Sequence, residues 1–157
     1  ALTGHLVLST LHTNDAPGAI SRLTEMGIPP FLIASAIDCV QAQRLARRLC
    51  PACKQPYKPD LDELRAVGFP VTEGEELTLY KPGGCQKCND TGYKGRVGLY
   101  EVMLMSEKIE RLTVEGATAE EIKKVALEEG MQTLRQDGMQ KVKLGLTSIE
   151  EVLRVVV

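Results

Sequence analysis

The spacing of apolar and polar positions along this chain changes character twice. Residues 6–11, Leu-Val-Leu-Ser-Thr-Leu, form a short apolar run rich in β-formers, which predicts a buried strand. Asn14-Asp15-Ala16-Pro17 then supplies capping residues and a proline for a first helical turn. A helix is expected from there through Ile20, Leu23 and Met26, stopped by Gly27. Pro29-Pro30 opens a second apolar helix over about 31–38. Over 39–49, Cys-Val-Gln-Ala-Gln-Arg-Leu-Ala-Arg-Arg-Leu, polar and apolar residues partly alternate. Strand and helix both accommodate that pattern, and strand is favoured.

From residue 50 to residue 100 periodicity gives way to punctuation. Five of the eight prolines and seven glycines fall here, beside four paired cysteines, so loops and short strands are predicted. Asp60 to Val67 has room for one or two helical turns. Val97, Leu99, Val102 and Leu104 mark a returning strand over 96–105. From Ser106 onward the pattern is helical. Thr118-Ala-Glu-Glu121 and Ser148-Ile-Glu-Glu151 both match the capping box, in which a hydroxyl and a carboxylate satisfy first-turn amides reciprocally. Ile122, Val125 and Ala126 form one apolar stripe; Leu134, Met139, Val142 and Leu146 a second; Ile149, Val152, Leu153 and Val156 a third. Gly116, Gly130 and Gly145 sit where helix stops are expected. The prediction is a small helical bundle with no ligand set of its own.

Composition narrows the class. The chain has 157 residues, enough for one ordinary domain or two small ones. Hydrophobic residues make up 43% and charged residues 25%, as in soluble globular proteins. With no Trp and 4% aromatics, Leu, Val, Ile and Ala must build the core. No run approaches the roughly 20 apolar residues of a membrane helix. A net charge of −2 argues against a dedicated nucleic-acid binder, which would carry a basic excess. The opening Ala-Leu-Thr-Gly-His has neither an initiator Met nor a basic stretch before an apolar run. It is read as the interior of a longer chain.

Four of the five cysteines carry the clearest chemistry. Cys50 and Cys53, then Cys85 and Cys88, form two C-x2-C pairs with 31 residues between them. A two-residue gap lets both thiolates of a turn face one ion, and two such turns complete a tetrahedral zinc shell with no open position. The site is therefore expected to be structural, closing the base of an excursion. Cys39, in Ile37-Asp38-Cys39-Val40, is expected to be a buried thiol. His5 and His12 flank the first predicted strand. A structural role suits a histidine at a strand end, yet Thr10, His12, Thr13 and Asn14 gather polar side chains where open α/β sheets bind ligands. Arg44, Arg47 and Arg48 fit either a solvated basic face or contact with phosphate or a neighbouring subunit.

Together these segments resemble the C-terminal half of the secretion traffic ATPases, the RecA-like motors of type II secretion and type IV pilus assembly. Thr3-Gly-His-Leu-Val-Leu-Ser-Thr-Leu-His-Thr-Asn14 is similar to the family's histidine box. Arg22-Leu-Thr-Glu-Met-Gly27 and Ala42-Gln-Arg-Leu-Ala-Arg-Arg-Leu-Cys50 resemble the segments that follow it. The four paired cysteines match the zinc element of the assembly-type members, which the retraction motors lack. Gly95-Arg-Val-Gly-Leu-Tyr-Glu101 and the ending from Gly130 to Arg154 are similar to the family's later segments. The resemblance implies an α/β fold in three parts: 1–49 from a RecA-like ATPase core, 50–105 a zinc subdomain with its return strand, and 106–157 a helical subdomain.

It also implies a cytoplasmic homo-hexamer at the inner membrane that uses ATP and Mg2+. Its partners would be a membrane platform protein and cytoplasmic assembly proteins, with no direct nucleic acid. His12, with His5 beside it, would stand near the nucleotide phosphates. Thr10 and Thr13 would support it, and Arg44, Arg47 and Arg48 would reach nucleotide or a neighbouring subunit. The family's phosphate loop, G-x4-G-K-S/T, does not occur in these 157 residues. The chain alone is therefore expected not to hydrolyse ATP. Two other classes compete. A nucleic-acid-binding zinc ribbon would use Lys54, Lys58, Lys81, Lys87 and Lys94, but Asp60, Asp62, Glu63, Glu73, Glu75 and Glu76 offset them. A non-catalytic adaptor would show no nucleotide-dependent assembly.

Overall fold

The computed structural model describes residues 1–72 and 76–156; Glu73 and Glu75 lie outside the described residues. The fold is mixed α/β. In chain order it contains helices α1 (Pro17–Glu25) and α2 (Pro30–Ala36), then strand β1 (Cys39–Leu49). A short strand β2 (Gln55–Tyr57), helix α3 (Leu61–Ala66) and strand β3 (Leu79–Lys81) follow. Strand β4 (Tyr93–Leu104) leads to α4 (Glu107–Glu115), α5 (Ala119–Glu128), α6 (Leu134–Lys143) and α7 (Ile149–Val155). β1 pairs with β4, and β2 pairs antiparallel with β3 through Gln55–Lys81 and Tyr57–Leu79. No helix among the described residues is long and apolar enough to cross a membrane.

The strand expected over 6–11 does not form. The segment is irregular, and Leu6 and Leu8 are 83% and 89% exposed. A strand exists through its ladder, and among the described residues the two strand pairs leave this segment out. Without a neighbouring edge, its backbone groups stay with water. The alternation over 39–49 does become a strand, with Ala42 and Ala46 buried on one face. Cys39 falls on the opposite face and is exposed, against the expectation of a buried thiol.

Local sequence accounts for most helix ends. Asp60 accepts the Asp62 and Glu63 amides to start α3, and Ser106 accepts the Ile109 amide to start α4. α4 stops at Gly116, whose φ of +77° suits glycine. Thr118 and Glu121 form the full reciprocal box at α5. Ser148 accepts the Glu151 amide at α7, but the Glu151 carboxylate is committed elsewhere, so only half of the second predicted box exists.

The residues group into two compact units. One comprises Ala1–Gln43 with Glu101–Thr133, the other Arg44–Tyr100 with residues 134–157. In the first, α2 packs on α4, α1 on α5, and α4 on α5, around Ala19, Ile20, Ile33, Ile109 and Ile122. In the second, α6 packs on α7 and β3, with Leu49, Leu79, Leu99, Met139, Val142 and Val152 fully buried. Gly138 of α6 lets Val152 approach closely: a Cβ there would lie 2.6 Å from Val152 Cγ1.

Candidate functional site

The four paired cysteines converge within the second unit. Cys50 follows directly on β1, and its carbonyl accepts the Cys53 and Lys54 amides, which closes the first turn. Cys85 does the same for Cys88 and Asp90. That second turn passes through a 3-10 helix at Gln86–Cys88 and then through Asn89 and Asp90 at φ of 51° and 57°. Asn and Asp are the residues that tolerate this left-handed region best after glycine. Gly92, at φ +74°, donates its amide to Cys88 Sγ at 3.3 Å and accepts the Cys50 amide at 2.9 Å. A Cβ there would lie 2.5 Å from Pro82 Cβ and 2.7 Å from the Gly83 oxygen, so glycine is required twice over.

All four sulfurs lie within 4.8 Å of one another. Cys50 Sγ is 4.0 Å from Cys85 Sγ, and Cys88 Sγ is 3.7 Å from both Cys53 and Cys85 Sγ. These separations are far beyond the roughly 2.05 Å of a disulfide. They match the edge of about 3.8 Å that a tetrahedron with ~2.3 Å zinc–sulfur bonds requires. No other Cys, His, Asp or Glu among the described residues joins the group. Four soft sulfur donors in this arrangement are consistent with a structural zinc ion, whose shell they would fill.

The thiols differ in acidity without metal. Burial, then hydrogen bonds with the Cys85, Cys88 and Cys50 thiols, pushes Cys53 up to about 12. Burial also opposes ionisation of Cys88, but hydrogen bonds with the backbone of Cys85 and Gly92 outweigh it and pull that thiol down to about 6.

A polar knot that sequence reasoning missed adjoins the first turn. Glu151, with no side-chain exposure, accepts Arg47 Nε at 2.9 Å and Nη2 at 2.7 Å through one oxygen. Its other oxygen accepts the Arg47 amide at 2.8 Å and Arg154 Nη2 at 2.6 Å. The Arg47 guanidinium also stacks on Tyr93, 4.2 Å from the ring centroid, and the Tyr93 hydroxyl lies 2.9 Å from Ser148 Oγ. Burial raises the Glu151 pKa, but the hydrogen bonds of Arg154 and Arg47 prevail and hold it at about 2. The only sequence signal for Glu151 was the capping box, which pointed to a different use of its carboxylate. Nearby, Lys54 Nζ donates to the Gly145 carbonyl at 2.8 Å and sits over Tyr80.

His5 and His12 are exposed, and His5 Nδ1 is 3.3 Å from Thr3 Oγ1. Thr10 is exposed, and Thr13 Oγ1 donates to the Asp15 carbonyl at 3.0 Å. Arg44 is half-buried and Arg48 exposed on β1. Arg47 is engaged with Glu151.

A family model described as type II/IV secretion system protein matches residues 1–154. The type IV pilus assembly ATPase PilB of Myxococcus xanthus is 51% identical over 98% of this chain and 27% of its own length. The PilB of Thermus thermophilus is 50% identical over 98% of this chain and 17% of its own. The type II secretion system ATPase E of Vibrio cholerae is 46% identical over 99% of this chain and 30% of its own. The chain thus spans between 17% and 30% of the length of these curated relatives. With residues 1–154 matched by the family model and about half the residues shared with these relatives, the chain belongs to the type II/IV secretion system protein family.

Proposed function

We propose that this chain is the C-terminal part of a hexameric cytoplasmic ATPase that powers type IV pilus assembly or type II protein secretion. The observation that carries this reading is identity of 46–51% to ATPases of both kinds over 98–99% of the chain. In this reading residues 1–49 belong to a RecA-like core, 50–105 to a zinc subdomain and 106–157 to a helical subdomain. Motor action pushes on a membrane platform protein from the cytoplasmic face.

Each group of residues then has a task. Cys50, Cys53, Cys85 and Cys88 hold one zinc ion, which when bound cross-links the two turns and does no chemistry on substrate. His12, with Thr10 and Thr13 beside it, meets the nucleotide phosphates and reports their state. Its exposure leaves the ring accessible to a ligand. Arg44 and Arg48 reach nucleotide or a neighbouring subunit, while Arg47 acts through the shape it gives β1. Phosphoryl transfer needs a phosphate loop with its lysine and Mg2+. No G-x4-G-K-S/T run occurs in these residues, so the chain by itself does not hydrolyse ATP.

The test uses both the chain and the intact motor. Metal analysis of the reduced chain should return one zinc ion per molecule; absence of metal with all thiols reduced would sink the zinc assignment. The chain should show no ATPase activity above buffer. In the intact motor, His12→Ala should lower turnover by about tenfold or more with the thermal midpoint unchanged. Unchanged turnover removes His12 from the nucleotide site.

A further inference from the structure

Glu101 is a buried carboxylate that the proposed chemistry does not use. It lies in β4, is 2% exposed, and accepts the Ala16 amide at 2.8 Å through Oε1. Ala16 is fully buried and is the residue from which α1 starts. Its backbone stands at φ −71° and ψ −44°, in the helical region. Pro17 follows it, and a residue before proline is driven away from that region by the proline ring. Local sequence therefore disfavours the conformation that starts α1 here. The hydrogen bond from a residue 85 positions away opposes that preference, together with the local bond from the Gly18 amide to Asp15 Oδ1.

A second contact holds the same turn from another element. Lys123 of α5 pairs with Asp15 Oδ2 at 3.3 Å, while Asp15 Oδ1 accepts the Gly18 amide at 3.0 Å. Thr13 Oγ1 donates to the Asp15 carbonyl. Residues 13–16 are thus tied to β4 and to α5 within one unit. Ala16 follows His12 by only four positions, at most about 14 Å of chain.

We infer that Glu101 is a positioning residue for the His12 segment. Its carboxylate fixes the start of α1, and through Thr13–Asp15 it fixes where the His12 ring stands. The inference rests on the reading of His12 as the group that meets nucleotide phosphates. Glu101 touches no reacting atom; it acts through His12.

Two measurements separate the clasp from the chemistry. On this chain, Glu101→Ala should raise the hydrogen-exchange rate of the Ala16 amide by about tenfold or more and move the His12 ring resonances. Glu101→Gln, whose amide oxygen still accepts, should restore protection. An Ala16 amide equally protected in Glu101→Ala overturns the inference. In the intact motor, Glu101→Ala should lower kcat about tenfold with KM for ATP within about twofold. Glu101→Gln should recover most of that loss. In a His12→Ala background the Glu101→Ala loss should vanish, because the two residues act as one unit.

A loss of equal size in both backgrounds means that Glu101 only supports the fold, and overturns the inference. If His12→Ala alone leaves turnover intact, the histidine reading falls and takes the inference with it. The amide measurement tells that case apart, since it does not depend on turnover. Glu101→Asp keeps the charge and withdraws the carboxylate by one methylene, so it replaces the alanine variant if that one fails to fold. The same fall in kcat and the same cycle are expected, and full activity in Glu101→Asp overturns the inference.

Discussion

Burying a carboxylate costs several kcal/mol unless charges and donors replace its water, and Glu151 has both. Arg47, Arg154 and the Arg47 amide hold it at about 2, below the usual carboxylate range near 4.3 in an unfolded chain. The sign follows from that depression. The native state favours the ionised form, so its contribution is complete above about pH 5 and is lost as pH falls through 4 toward 2. Unfolding free energies from urea titrations across that range should fall by on the order of 3 kcal/mol, and Glu151→Gln should lack that part of the slope. At pH 7, Glu151→Ala should cost about 3 kcal/mol by chemical denaturation. Gly138→Ala tests the other kind of residue constraint. Alanine gains about 1 kcal/mol of helix propensity, yet its Cβ would lie 2.6 Å from Val152 Cγ1. A net loss of about 1 kcal/mol is expected, and pairing it with Val152→Ala should relieve the clash. The cysteines were legible in the sequence because ligand spacing within a turn is local chemistry. Glu151 was not, because its partner Arg47 is 104 residues away and the local capping pattern offered its carboxylate a nearer use.

At the scale of elements, sequence succeeded where an element is defined by its own residues. The box at Thr118 and Glu121 forms in full, and α1, α2 and β1 lie near their expected ranges. Thr118→Ala should cost about 1 kcal/mol, read as a lower thermal midpoint. Sequence failed at 6–11, because a strand is defined by a neighbour and apolar β-formers alone do not supply one. The two cysteine turns are a third case: each closes through local backbone bonds, but the four sulfurs that meet come from both turns. Chelating the metal should therefore lower the thermal midpoint by about 10 °C, equivalent to roughly 3 kcal/mol, checked by calorimetry with and without chelator. Metal binding should also weaken with acid. Ligands bind as thiolates, and acid that protonates Cys88, at about 6, competes with the metal. A metal titration at pH 5 and pH 8 should show the tighter binding at pH 8.

At the scale of the molecule, each compact unit draws on two separate stretches of chain, so no linear change in composition marks its limits. What sequence could register was the family resemblance, which depends on short motifs and not on how stretches recombine. The pairings also differ in span. The two cysteine turns are joined across 35 residues, whereas Arg47 and Glu151 meet across 104. Closing the longer loop costs only about 1 kcal/mol more in chain entropy. The greater difference lies in time. As the chain leaves the ribosome, Cys88 emerges well before Glu151 has been made. An ion bound by the four cysteines can therefore be seated before the ionic knot closes. A nascent chain deprived of metal would reach α7 with no ion to cross-link the two turns, and the Arg47–Glu151 pair would then have to close beside turns held only by their own backbone bonds.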